Sequence, residues 1–150
     1  MTITAPYSKH KKTNLQIFIA MMLVAAVWFF YDGRNKDFVE KHTIQGQPDS
    51  TLVFNQKSPP YFLGGAIALG ILLFVLKDRK IVLDDDKIIA PDKTVNIKQI
   101  EKIDKTNFKN KGYFVITYKT DSSGSVDWKI SDRSYDNLSA MLDEIVKKIS

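Results

Sequence analysis

Two stretches without a charged side chain dominate the hydrophobic pattern: residues 15–31, LQIFIAMMLVAAVWFFY, and residues 61–76, YFLGGAIALGILLFVL. In the first, Gln16 is the only strongly polar side chain, one residue from the edge. A helix of that length reaches about 25 Å, enough to cross a ~30 Å hydrocarbon core once Asn14 and Tyr31 lie in the interfaces. The second run follows Pro59 and Pro60, which suit a helix entrance because the N–H groups they lack would have no helical partner there. Runs this short also fit buried core helices, but the flanking residues favour a membrane-spanning pair.

Lys9, Lys11 and Lys12 precede the first run and Lys77, Arg79 and Lys80 follow the second, whereas residues 32–60 carry four basic and four acidic side chains. The positive-inside rule then predicts both flanking segments on the cytoplasmic side and residues 32–60 outside. Trp28, Phe29, Phe30 and Tyr31 close the first helix, and Tyr61 and Phe62 open the second, so both aromatic groups fall at one outer interface. A cleaved secretory signal competes with this reading, because Val24, Ala25 and Ala26 supply small residues after a basic stretch. The apolar run continues through Val27 to Tyr31, which favours a retained helical hairpin. Residues 32–60 read as an outer loop with Gly33, Gly46, Pro48 and a β-prone run at 51–54. It is either a polar connector or a surface on which Phe38, Val39, Leu52, Val53 and Phe54 dock against a partner.

After Lys80 the pattern shortens. Residues 81–83, an acidic turn at Asp84, Asp85 and Asp86, and residues 87–90 read as a hairpin closed by Pro91 and Asp92. Residues 93–97 alternate with Val95 and Ile97 on one face, and Ile100 and Ile103 carry the core towards Phe108. A polar turn at 109–112 leads to residues 113–119, where Phe114, Ile116 and Tyr118 share a face, and Val126, Trp128 and Ile130 alternate after a turn around Gly124. Connections this brief predict about six antiparallel strands. Tyr135, Leu138, Leu142, Ile145 and Ile149 then recur at helical spacing, with Asp136, Asp143, Lys147 and Ser150 outward. Ser131 or Ser134 is the expected cap of this helix, with Asp136 in its first turn. The fold class is an α+β membrane protein: residues 1–14 a cytoplasmic segment, 15–31 and 61–76 transmembrane helices, 32–60 the outer loop and 77–150 a cytoplasmic domain.

A bent antiparallel sheet of short strands closed by one C-terminal amphipathic helix resembles the bacterial pleckstrin-homology-like domain. The stretch VNIKQIEKID at 95–104 is similar to a turn-and-strand segment of its membrane-attached members, and KGYFVITY at 111–118 followed by a strand and a helix fits as well. The resemblance covers about 70 residues, accounts for six strands where a full domain has seven, and includes no basic phosphoinositide-type loop. It implies a PH-like domain behind a two-helix hairpin in a bacterial inner (cytoplasmic) membrane, and little about activity.

Candidate chemistry is sparse. With no cysteine, the chain forms no disulfide, thiolate metal site or cysteine nucleophile. His10 and His42 fall on opposite sides of the membrane in this topology and so share no metal or proton. The motifs HExxH, GxSxG, GxxxxGK[ST] and GxGxxG are absent, and neither apolar run carries an ionisable residue at membrane depth. The Asp84 to Asp86 run and Ser122, Ser123 and Ser125 fall where hairpin turns are expected. Residues 77–150 hold 15 basic and 13 acidic side chains, no electrostatic footprint for nucleic acid. No catalytic residue, metal, cofactor or small-molecule substrate is expected.

Two interaction features remain. Gly64 with Ala68, and Ala66 with Gly70, make small-xxx-small pairs that permit close helix approach, either to Ala25 and Ala26 of the first helix or to a separate subunit. Lys9, Lys11 and Lys12 are topology determinants that also offer contact with anionic lipid. The expected function is a non-catalytic accessory or assembly subunit of a larger membrane complex, with an integral membrane protein as partner. A membrane-anchored PH-like binder of lipid headgroups or peptides is the alternative, and a membrane enzyme the third class.

Overall fold

The structure, a computed structural model, describes residues 2–121 and 124–150, so Ser122 and Ser123 lie outside the described residues. The chain divides into two compact units, one formed by residues 2–12 with Leu76–Ser150 and the other by Thr13–Val75.

The first unit is α+β and starts earlier than the sequence suggests. β1 (Ile3–Pro6) pairs antiparallel with β4 (Lys80–Leu83), Ala5 opposite Ile81 and Ile3 opposite Leu83. β5 (Lys87–Ile89) and β6 (Thr94–Asn96) extend the sheet in the order β1-β4-β5-β6. A single 3-10 turn, Ile97–Gln99, then leads into β7 (Ile100–Asp104), which opens a second sheet with β8 (Tyr113–Thr120) and β9 (Gly124–Ser131) in the order β7-β8-β9. The expected boundary at residue 77 is thereby corrected: residues 3–6, read as part of a cytoplasmic tail, are an edge strand of the domain. Ala5, opposite Ile81 in this pair, is fully buried.

Alternation along the strands fills the core. Ile81, Leu83, Ile88, Val95, Phe114, Ile116 and Ile130 are at most 1% exposed, and the residues on either side of them in each strand are half-buried or exposed. The C-terminal helix of the domain (Leu138–Ile149) closes the core with Leu138, Met141, Leu142 and Ile145. It starts later than the Tyr135 periodicity suggests, because Asn137 adopts a left-handed φ of 63° as its N-cap and neither Ser131 nor Ser134 caps it. The polar turn expected at 109–112 is a short helix, Phe108–Lys111, ended by Gly112 at φ 69°. The left-handed conformation favours glycine at Gly112, and a Cβ there would also displace the exposed Asp132 carboxylate.

The second unit contains two long apolar helices, α1 (Lys9–Asp32, whose first turn belongs to the first unit) and the helix Pro59–Leu76. They are longer than the apolar runs because the lysine turn and both prolines are helical. Each is long and apolar enough to cross a membrane, and only 6% and 11% of their apolar windows is buried, unlike the core helix of a globular domain.

Residues 32–60 are more ordered than a loop. α2 (Lys36–Lys41) is capped by the Asn35 side chain, a two-stranded ribbon follows (β2, Thr43–Ile44; β3, Gln47–Pro48), and α3 (Ser50–Lys57) leads into α4, the helix at Pro59–Leu76. The β-prone run at 51–54 is helical, a second correction. Asp49 accepts the Leu52 N–H at 2.8 Å as an N-cap, and burial of Leu52 and Asn55 three residues apart outweighs the strand propensity of Thr51, Val53 and Phe54.

Candidate functional site

Within the first unit, residues 4–11 are tied to the turn ahead of the C-terminal helix, now α6 after α5 at Phe108–Lys111. Tyr7 N–H donates to the Arg79 carbonyl at 2.8 Å, Ser8 N–H to Ser134 at 2.9 Å, and Asp136 N–H to Pro6 at 2.9 Å. The Asn137 side-chain amide donates to the Thr4 carbonyl at 3.2 Å, and the Tyr7 and Tyr135 rings meet edge-on at 6.5 Å. Asp136, expected in the first turn of α6, instead accepts the Lys9 N–H at 2.8 Å and so places a carboxylate at the N-terminus of α1, where the helix dipole favours it. Of the three N-terminal lysines, Lys11 donates from Nζ to Ser134 Oγ at 3.2 Å, while Lys9 is exposed and Lys12 half-buried.

The domain surface mixes charge. Lys93 pairs with Asp92 at 3.4 Å, Lys119 with Glu101 at 3.2 Å, and Lys148 with Asp85 at 3.6 Å. Ser125 donates to Glu101, which together with Lys119 holds the Glu101 carboxyl below its ordinary value. Among the described residues no group of three or more acidic or histidine side chains is placed to hold a metal ion. His42 lies in the second unit, stacked on Phe38 at 4.2 Å and with Nδ1 at 2.7 Å from the Asp49 carboxylate.

In the second unit, the less exposed positions form one stripe on each long helix: Leu15, Ile19, Met22, Ala26 and Phe29 on α1, and Phe62, Gly65, Ala66, Leu69 and Leu73 on α4. Phe29 contacts Phe62 at 5.4 Å and Phe54 at 5.3 Å between ring centroids. Gly65 gives the closest approach, since a Cβ there would lie 3.0 Å from Met22 Sδ. The small residues singled out from sequence therefore divide. Ala66 is buried at 3% exposure, but Gly64 and Ala68 are exposed, and Cβ atoms at Gly64 or Gly70 would meet nothing within 4 Å. Gly65, which the pair rule skipped, is the residue that meets the first helix. Its signal was its place one helical turn from Phe62 and beside Ala66.

The remaining faces are apolar and open. Ile17, Phe18, Val24, Val27 and Trp28 on α1, and Leu63, Ile67, Ile71, Phe74 and Val75 on α4, are each about half exposed or more. A shallow hollow of about 560 Å³ along Leu23, Val24, Val27, Trp28 and Tyr31 belongs to α1 alone. Contiguous apolar surface on this scale is covered by lipid or protein in a stable molecule. Comparison of the chain with family models, with curated proteins and with solved structures finds no match.

Proposed function

We propose that the chain is a non-catalytic accessory or assembly subunit of a larger membrane complex, held in a bacterial inner membrane by α1 and α4, with a PH-like domain in the cytoplasm. Three observations support the membrane hairpin. The two helices are charge-free through their centres and leave their large apolar side chains outward. Pairing of β1 with β4 requires the chain to return to the side from which α1 left, which two crossings achieve and one does not. Cleavage after Ala26 would remove β1 and leave β4 without its partner, which favours a retained first helix over a signal peptide.

The PH-like reading gains from the same strand. With β1 included, the described residues contain a four-stranded and a three-stranded sheet closed by a terminal helix, which supplies the seventh strand that the resemblance requires.

The observation that carries the scaffold reading is the outward strip at Gly64 and Ala68, one helical turn apart beside large apolar side chains, where a partner helix can approach the backbone closely. Gly64→Leu with Ala68→Leu adds bulk to a face with no intrachain neighbour at Gly64, so the hairpin should remain folded while a partner protein is lost on native purification. Gly65→Leu, pressed on Met22, should disturb the hairpin itself. Unchanged co-purification with the double substitution would remove the scaffold reading.

A further inference from the structure

Where the outer ends of α1 and α4 meet α3, the second unit holds a groove of about 490 Å³ that is apolar along its floor and cationic at its rim. Ala26, Phe30, Pro59 and Leu63 belong to the apolar lining, termed the floor, and the exposed Arg34 and Gln56 form the polar lining, termed the rim. Ala26 to Phe30 on one wall and Pro59 to Leu63 on the other each span about 6 Å of helix, one turn. The Arg34 guanidinium lies over the Phe30 ring at 3.8 Å. A guanidinium has five N–H donors, more than contact with one ring can occupy, and so keeps donors for a planar or tetrahedral oxyanion. No ion pair among the described residues engages Arg34. Gln56 is itself fixed, its Nε2 donating to the Gly33 carbonyl at 3.2 Å.

We propose that this groove binds one anionic phospholipid of the outer leaflet, its phosphate on the Arg34 guanidinium and the upper part of an acyl chain against Phe30, Pro59 and Leu63. The chemistry selects the occupant. A purely apolar partner helix would bury Arg34 against hydrocarbon without a counter-charge, which is costly, and a soluble anion would leave the floor bare. A lipid with a net negative headgroup satisfies both ends, and a zwitterionic lipid brings its own cation to the same rim. The site is separate from the lysines at the cytoplasmic start of α1, and depends on the membrane placement but not on the scaffold role.

The test is titration of the detergent-solubilised full chain with phosphatidylglycerol or phosphatidylcholine, with bound lipid counted by native mass spectrometry. Phosphatidylglycerol should bind about tenfold or more tightly than phosphatidylcholine, because both phosphates can accept from Arg34 but only phosphatidylcholine brings a second cation beside it. Arg34→Gln should abolish the difference, and Leu63→Trp, which fills the floor, should weaken both lipids. Lys57→Gln, which removes a nearby exposed cation outside the groove, should change neither. Equal affinity of the unsubstituted chain for the two lipids, or equal losses for Arg34→Gln and Lys57→Gln, would overturn the site and leave a general lipid annulus. Release of the chain from membranes by alkaline carbonate would instead contradict the membrane placement, so the two failures are distinguishable.

Discussion

Ala5 lies directly opposite Ile81 in an antiparallel pair, although both apolar helices stand between them in sequence. Ala5 is fully buried and Ile81 is 1% exposed, so the contact is part of the domain core and not a loose edge. The domain is thus built from both flanks of the hairpin, and a fragment starting at residue 78 lacks one of its strands.

This arrangement predicts a sharp contrast at two adjacent positions. Ala5→Asp would put a carboxylate without a partner into the core and should destabilise the domain by about 3 kcal/mol or more. Thr4→Asp, on the exposed alternate position of β1, should have little effect. Thermal unfolding of the solubilised protein followed by tryptophan fluorescence separates them, and matching midpoints for the two variants would mean that β1 is not paired as described.

A similar contrast applies to α6. Leu142 is 4% exposed and Ser139 is exposed. Leu142→Ala should cost roughly 2 to 5 kcal/mol through lost burial and the cavity left behind. Ser139→Ala should be nearly silent, and comparable losses in denaturant unfolding would show that the helix packs by another face.

Much of this was visible in the order of residues, and the reasons for the rest are specific. The two long helices show as charge-free runs, and Phe114, Ile116 and Ile130 as period-two alternation, because these patterns are local. β1 was hidden because Ile3 to Pro6 is too short to show a period, ends in proline, and takes its meaning from a partner in β4. The helix at Ser50–Lys57 was hidden because its residues favour strands and only the Asp49 cap and burial of Leu52 decide otherwise. Asp136 reads from sequence as a first-turn residue of its own helix, whereas the tertiary fold delivers it to Lys9 at the start of α1. Of the interaction residues, Ala66 is buried and Gly64 is open, a division that a spacing of four residues does not reveal.

The Asp49 carboxyl should make the connecting segment acid-sensitive. Its pKa is held below the ordinary value first by the Leu52 N–H and then by the His42 hydrogen bond, with Thr51 contributing least. A carboxyl whose pKa is lower folded than unfolded adds stability that is fully present above its unfolded value and is lost as pH falls through the folded one. Amide exchange at Leu52, corrected for intrinsic rates, should therefore accelerate below about pH 4. In Asp49→Asn that acid step should disappear, and an identical step in both proteins would assign it to another group.

The proposed topology puts residues 32–60 outside the membrane and residues 77–150 in the cytoplasm. Single cysteines at the exposed positions Ser50 and Ser139 report this without background, because the native chain contains none. In intact cells a membrane-impermeant thiol reagent should label Ser50→Cys and should reach Ser139→Cys only after permeabilisation. Labelling of Ser139→Cys in intact cells, with or without Ser50→Cys, would overturn the proposed topology.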